Sequence, residues 1–498
     1  MGKVSTIYYN DLRRFENLTE AFHWQRQVFK QDNTWNNEPT KDGMVISPYL
    51  KMKLNGTRVP VYAARATYST HSFAYAEVES EDDVFSIDVT LELSQKRNHV
   101  VVLPESKGVK AEIVGDTTVR CTVNAYGSYT FVFDHYIESA VTLLVRKKET
   151  LKIPEGYDVV TLPPVKHLSE EMCLKEKTVY RFANGVHYIN GITLPSDCIV
   201  ELAEGAILKA YSAERGCLFH AERGAKNITV CGKGAIDCSD LESGCGTTFS
   251  IVGVDGITVR DVTIINSPSW TVCFTNCNNV RVKDLLLIGY RIWSDGIMLS
   301  DCTNSVVSDC FMRTGDDAAE CKSTGDGSTR TDNVLFKNID VWTDKAAGYG
   351  IVFENNYDTQ NVRFENCSVG FSLPNWSDHL GCITVFCGNN PNAVDYNIFF
   401  KDIKIYYTLC PAINLCAYEG NMRDIYVENL TTKYCFHNAP VFLWVRDAEK
   451  ASIGKVYLDN VSVGGKLLES TEQKDMIEIR IPEEAHFDPK NVIINSKK

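Results

Sequence analysis

From about residue 225 onward, apolar and polar positions alternate in short runs, and the runs recur. Each unit opens on a polar or small residue, continues as an alternating apolar strand, and passes through a polar turn into a second strand. The openings read Asn227-Ile228-Thr229-Val230, Gly256-Ile257-Thr258-Val259, Asn279-Val280-Arg281-Val282, Ser305-Val306-Val307, Asn333-Val334-Leu335-Phe336 and Asn361-Val362-Arg363-Phe364. The anchors Ile228, Ile257, Val280, Val306, Val334 and Val362 lie 29, 23, 26, 28 and 28 residues apart. Later units begin near Ile398, Ile425 and Val456, at intervals of 36, 27 and 31, so loops are inserted on one side. β-Branched residues at period two predict strands. A period in the twenties with about three short strands per unit predicts a solenoid. Leucine-rich repeats share the period but need a fixed leucine ladder, where this chain alternates Val, Ile and Phe. A sandwich of irregular hairpins has no reason to recur at one period. The expected fold is all-β: a right-handed parallel β-helix over residues 166–498. The Asn residues opening its units suit turns, because Asn tolerates a left-handed backbone.

Residues 1–150 carry a different pattern. Alternating runs such as Val84-Phe85-Ser86-Ile87-Asp88-Val89 and Tyr129-Thr130-Phe131-Val132-Phe133 predict an N-terminal β-sandwich domain, with a loop or short helix over 12–30. The charged, Pro-bearing stretch 151–165 reads as a linker. Val179 to Tyr188 and Ile199 to Ala206 then read as the first solenoid turns, capping one end.

The net charge of −13 repels phosphate backbones, so no nucleic-acid partner is expected. No apolar run reaches membrane-spanning length, so no membrane partner is expected either. Met1 to Asn10 hold no secretory apolar run. The 18 cysteines follow no paired spacing, contain no Cys-x-x-Cys, and sit in strand-like runs, as at Cys273, Cys321, Cys382 and Cys416. They read as buried free thiols in a reducing compartment, and hence as those of a cytoplasmic protein. No metal and no cofactor is expected. The oligomeric state is not readable.

Two acidic clusters fall on successive units: Trp293-Ser294-Asp295-Gly296-Ile297 and Thr314-Gly315-Asp316-Asp317-Ala318. Asp295 and Asp316 are 21 residues apart, just under one repeat, so stacking would crowd three carboxylates into one patch. Like charges that close cannot all ionise cheaply, which divides labour between a protonated acid and an ionised base. Two other readings stay open: Asp-Gly and Gly-Asp as turn dipeptides, and clustered carboxylates as a calcium site.

These residues resemble the polygalacturonase family of glycoside hydrolases. The matching runs are Asn266-Ser267-Pro268-Ser269-Trp270-Thr271, Ser294-Asp295-Gly296-Ile297, Thr314-Gly315-Asp316-Asp317, Lys322-Ser323 and, upstream, Gly232-Lys233-Gly234-Ala235-Ile236-Asp237. The resemblance covers about residues 225–365. It implies an inverting hydrolase acting on an oligo- or polysaccharide, with Asp316 as general acid and Asp295 and Asp317 holding the attacking water. Stacking on adjacent turns argues for a short carboxyl separation, where inverting enzymes usually keep about 6.5–9.5 Å. The departures bear on substrate. Tyr349 stands where the family has His, in Gly348-Tyr349-Gly350. The family's uronate-gripping Arg-Ile-Lys appears as Cys382-Ile383-Thr384, and Glu320 replaces a small residue. A sandwich ahead of the β-helix also resembles the dextranase and isopullulanase family, which acts on neutral α-glucans. The expected substrate-contacting residues are Trp270, Trp293, Glu320, Lys322, Tyr349, Glu354 and Trp376, with Tyr290 a further aromatic near the cleft. The expected substrate has a neutral sugar at the cleaved position; a wall formed by Leu373 to Leu380 would favour exo action. A galacturonide-cleaving hydrolase, a lyase using Lys322 or Arg313 as base, and a non-catalytic carbohydrate-binding β-helix are the alternatives.

Overall fold

The computed structural model describes residues 2–496 apart from 11, 17, 21–42, 165–170, 214, 375, 376, 378 and 486. The loop or helix expected over 12–30 falls largely outside them. Three parallel strands make each solenoid turn. In one turn these are Asn278–Lys283, Leu286–Ile288 and Ile297–Ser300, and in the next Thr303–Ser308, Phe311–Thr314 and Ala319–Ser323. First and second strands form one continuous ladder and third strands form another. All-parallel strands joined in one sense wind a right-handed β-helix.

Period-two alternation explains the core. Ile228, Ile257 and Val280 lie in register and point inward, as do Val334, Val362, Ile398, Ile425 and Val456 further on. Phe336, Phe364 and Phe400 stack at 4.7 and 5.0 Å between ring centres. The anchor expected at Val306 is displaced by one residue: Ser305 pairs with Val334, is buried, and leaves Val306 half-buried. A serine in an apolar row hides the parity from a hydrophobicity count. Its hydroxyl donates to the Thr303 carbonyl, which makes the burial tolerable.

Asn openings take the left-handed conformation, with φ of 54–57° at Asn227, Asn279 and Asn333. Their amides bond along the stack. Asn333 donates to Asn304 at 2.8 Å, Asn304 to Asn278 at 2.9 Å and Asn361 to Asp332 at 2.7 Å.

The N-terminal region forms two sheets facing one core, where Met52, Ile87 and Leu91 meet Ala74, Phe131 and Val141. The strand Thr70–Glu79 is buried on both faces. The other face of its sheet, with Phe73, Tyr75, Leu103 and Val132, packs on the second strands of the solenoid through Ile207, Ala235, Ile265, Ile288, Phe311, Trp342, Phe371 and Tyr406. Each of these eight residues comes from a different, consecutive turn. Third strands face away from this contact. Within the stretch expected to be a linker, Asp158–Leu162 pairs with Thr178–Phe182 and begins the solenoid ladder. All 18 cysteines are free thiols, most of them buried. No helix among the described residues is long and apolar enough to cross a membrane.

Candidate active site

The acids sit where second strands hand over to third strands. Ile297 is in register with Ala319, so two residues earlier Asp295 stacks on Asp317, with Asp316 one residue before that position. The backbone ladder continues through this corner, with Gly296 N donating to the Asp317 carbonyl at 2.8 Å. The glycines beside the acids serve close approach. A Cβ on Gly296 would lie 2.3 Å from the Ala318 carbonyl oxygen, and one on Gly315 2.3 Å from that of Arg291. Arg291, fully buried, donates to the carbonyls of Asn266 and Leu241, both at 2.5 Å, and ties the long corner 289–296 to earlier turns. Ser294 Oγ donates to the Arg291 carbonyl at 2.6 Å and accepts from Gly315 N at 3.3 Å.

A cleft of about 470 Å³ opens over this corner, lined by Ser269, Trp270, Ile292, Trp293, Asp295, Gly315, Asp316, Asp317, Lys322, Lys345, Ala346, Phe353 and Glu354. Asp295 and Asp317 lie in its floor, each 2% exposed, while Asp316 is half-buried at its side. Asp316 accepts from Trp293 N at 2.9 Å and Asp317 N at 3.0 Å; Asp317 accepts from Ala347 N at 2.8 Å. Trp293 takes φ of +62° and stands exposed over the cleft. A bulky residue in that region is costly, and such residues concentrate at functional sites. Lys322 is the hub: its Nζ lies 3.6 Å from Asp295, 4.0 Å from Asp317, 3.5 Å from Glu320 and 2.8 Å from Glu354, and 5.4 Å from the centre of the Trp270 ring.

Burial pushes the Asp317 carboxyl up to about 7, and the Asp316 charge adds to this while Lys322 opposes it. Burial, then Asp316, hold Asp295 well above the usual carboxylate range. Asp316 is raised too, mainly by burial, against the backbone N–H bonds it accepts. Burial alone would lower Lys322, but the carboxylates around it hold it well above the ordinary lysine value. Oxygens of Asp295, Asp317 and Glu320 lie within 4.8 Å of one another, a spacing a cation could use. The Lys322 ammonium stands among them and supplies that positive charge from the chain itself.

Of the expected contacts, Trp270, Trp293, Lys322 and Glu354 line the cleft with the three aspartates. Glu320 does not: at 1% exposure it lies beneath the floor. Tyr349 is corrected too. It is in register with Ala319, so strand parity turns it into the solenoid core, where its hydroxyl faces the Ile339 and Ser368 carbonyls at 2.8 and 2.7 Å. Tyr290 is buried under the Arg65 guanidinium at 3.9 Å. Trp376 lies outside the described residues. Sequence reasoning missed Lys345, Phe353 and the sandwich residues behind the site. Phe353 and Glu354 reach the cleft because the register slips between Cys321 and Ser323, which pair with Ile351 and Asn355. Such bulges re-aim side chains beside active sites. Thr67 of the sandwich donates to the Tyr290 carbonyl at 3.2 Å and, from its backbone, to Asp344 at 3.2 Å.

No protein-family model matches the chain. A stretch of 72 residues is 32% identical to a probable polygalacturonase of Vitis vinifera, spanning 14% of this chain and 15% of that relative. The fold is similar to that of Dex49A from Penicillium minioluteum, with a TM-score of 0.69 at 12% identity, over 99% of this chain and 98% of that one. A hyperthermoactive exopolygalacturonase from Thermotoga maritima aligns with a TM-score of 0.43 at 15% identity, over 61% and 94%. The likeness to Dex49A extends over nearly the whole chain and concerns the fold alone.

Proposed function

We propose that this chain is an inverting glycoside hydrolase that cleaves α-glycosidic bonds of an oligo- or polysaccharide carrying a neutral sugar at the cleaved position. The observation that carries this reading is the division of the acids. Asp316 stands at the side of an open cleft, while Asp295 and Asp317 stack in its floor around Lys322. In the reaction, Asp316 gives its proton to the glycosidic oxygen as the bond from the anomeric carbon to that oxygen breaks. Asp295 and Asp317 hold a water whose oxygen bonds to the anomeric carbon, and one of them takes the water's proton. Trp270 and Trp293 offer ring faces to the sugar. A lyase would need Lys322 or Arg313 as a base. Lys322 is held protonated by its carboxylates, and Arg313 is buried in an ion pair with Asp344.

Neutral sugar follows from the charges. Four carboxylates line the cleft, those of Asp295, Asp316, Asp317 and Glu354, against the ammonium groups of Lys322 and Lys345; no arginine is among the described lining residues. A uronate entering such a site needs a cationic partner, preferably a bidentate arginine. Where that partner could come from the following turns, Cys382 and Ile383 are core residues and Thr384 is buried, its hydroxyl facing the Gly381 carbonyl. The test compares kcat/KM on neutral α-glucan oligomers and on α-galacturonide oligomers by release of reducing ends. Neutral oligomers should be preferred, and proton NMR of the first-formed anomer should show inversion. A galacturonide preference that disappears in Lys345→Ala would replace this reading with a pectin-cleaving one.

A further inference from the structure

Glu320 is the one fully buried acid of the cluster that the proposed reaction leaves unused. It stands in the strand Ala319–Ser323 between Met298 and Gly350 of the adjacent strands, neither of which offers a charge or a side-chain donor. It is 1% exposed, and neither of its carboxyl oxygens has a hydrogen-bond partner. The charged groups facing it are Asp295 from the preceding turn, Asp317 and Lys322 from its own turn, and Glu354, which shares Lys322, from the bulge in the next strand. Asp295 Oδ1, also buried, is equally without a partner. Two buried acceptors left facing each other are costly. One lysine cannot neutralise every carboxylate around it, and like charges this close share protons.

A proton on Glu320 resolves both problems, because it removes a charge and turns an acceptor into a donor. We infer that Glu320 is a positioning residue that stays a neutral carboxylic acid at neutral pH and donates its proton in a hydrogen bond to Asp295, keeping that carboxylate ionised and aimed at the attacking water. Burial, reinforced by the charges of Asp317 and Asp295 and opposed by Lys322, holds Glu320 well above its ordinary value. The choice of Glu320 over Asp295 as proton holder follows from solvent access. Asp295 lines the cleft, whereas Glu320 meets no water from it.

The protonation itself is independent of the hydrolase reading; its effect on rate rests on that reading. The infrared difference spectrum between wild type and Glu320→Gln at neutral pH should show a protonated-carboxyl band present only in the wild type. Loss of carboxylate bands alone would overturn the inference whether or not any substrate is cleaved. On a cleaved substrate, Glu320→Gln keeps a donor and should stay within several-fold of wild-type kcat/KM. Glu320→Leu, matched for thermal stability, should lose on the order of 10- to 100-fold, the worth of a hydrogen bond to a charged group. Its acid limb should move to higher pH as Asp295 loses its donor. A Leu variant with both rate and pH profile unchanged would overturn the positioning role.

Discussion

Asp316 and Asp317 are neighbours in sequence, but their surroundings assign them different work. Asp316→Asn removes the proton donor and should lower turnover about 10²–10⁴-fold, with no loss in the thermal midpoint. Rates measured alongside circular-dichroism melting check it, and a near-wild-type rate in the double variant with Asp317→Asn would end the assignment. Asp317 must be ionised to help activate water, and its carboxyl is held near 7. The acid limb of kcat/KM, which reports the free enzyme, should therefore fall near neutrality rather than near pH 4. The same elevation has a stability cost. Well below pH 3.8 the carboxyl is protonated folded and unfolded alike, so its burial as a charge costs the fold nothing there. As pH rises toward 7 the unfolded state ionises first, and stability is lost at up to about 1.4 kcal/mol per pH unit. Asp317→Asn escapes this loss. Its midpoint should exceed the wild type's by several degrees at pH 7.5 and match it at pH 3.5, and a pH-independent difference would refute the cause. The acids were legible in the sequence because their motifs are local. Tyr349 was misplaced because Gly-Tyr-Gly conceals parity; only its alignment with Ile297 and Ala319 shows that it points inward. The role of Glu320 was not legible, since a residue's lack of hydrogen-bond partners is set by neighbouring turns.

At the scale of the element, the strands were legible from alternation and the turns from Asn. Two features were not: the serine that replaces an apolar anchor at Ser305, and the bulge opposite Lys322 that delivers Phe353 and Glu354. Neither leaves a mark in a hydrophobic period, because both are settled by pairing with the adjacent turn. The Asn stack makes a separable prediction. Asn333→Ala loses the 2.8 Å bond to Asn304 and forces a Cβ-bearing residue without a side-chain acceptor to φ of 57°. It should cost about 1–2 kcal/mol in denaturant unfolding. Asn333→Gly, free of the backbone penalty, should recover part of that. Equal losses for the two variants would mean that the left-handed backbone contributes nothing.

At the scale of the molecule, the sandwich and the solenoid were legible as separate patterns, but their contact was not, because long-range packing leaves no local signature. That contact reaches the active site. Arg313 immediately precedes the acidic corner and faces Asp344 through two N–O distances of 3.4 Å, and its third nitrogen meets His71 of the sandwich at 3.3 Å. Burial, then the Arg313 charge, hold His71 well below the usual histidine range, so its neutral ring accepts from Arg313 and donates to Thr142. Arg313→Met leaves Asp344 buried without its cation and should destabilise the protein by about 3–5 kcal/mol. Turnover at a temperature where the variant is folded should fall as well. An unchanged kcat would confine the sandwich to bracing the fold.

Eight successive second strands each place at least one side chain in the apolar contact with the sandwich, and this has a bearing on how such a chain can change in length. A free solenoid is modular: turns can be gained or dropped by duplication and deletion, since each unit answers only to its neighbours. Here the stretch from Ile207 to Tyr406 is held like teeth in a rack, and removing one turn would throw every later tooth out of mesh. The turn after Tyr406 is still tied to the sandwich, by Lys433 and Glu105 at 2.7 Å; beyond Cys435 no described residue joins this apolar contact. The molecule is therefore adjustable at its C-terminal end alone, where added or deleted turns would lengthen or shorten the track leading away from the acids without moving them.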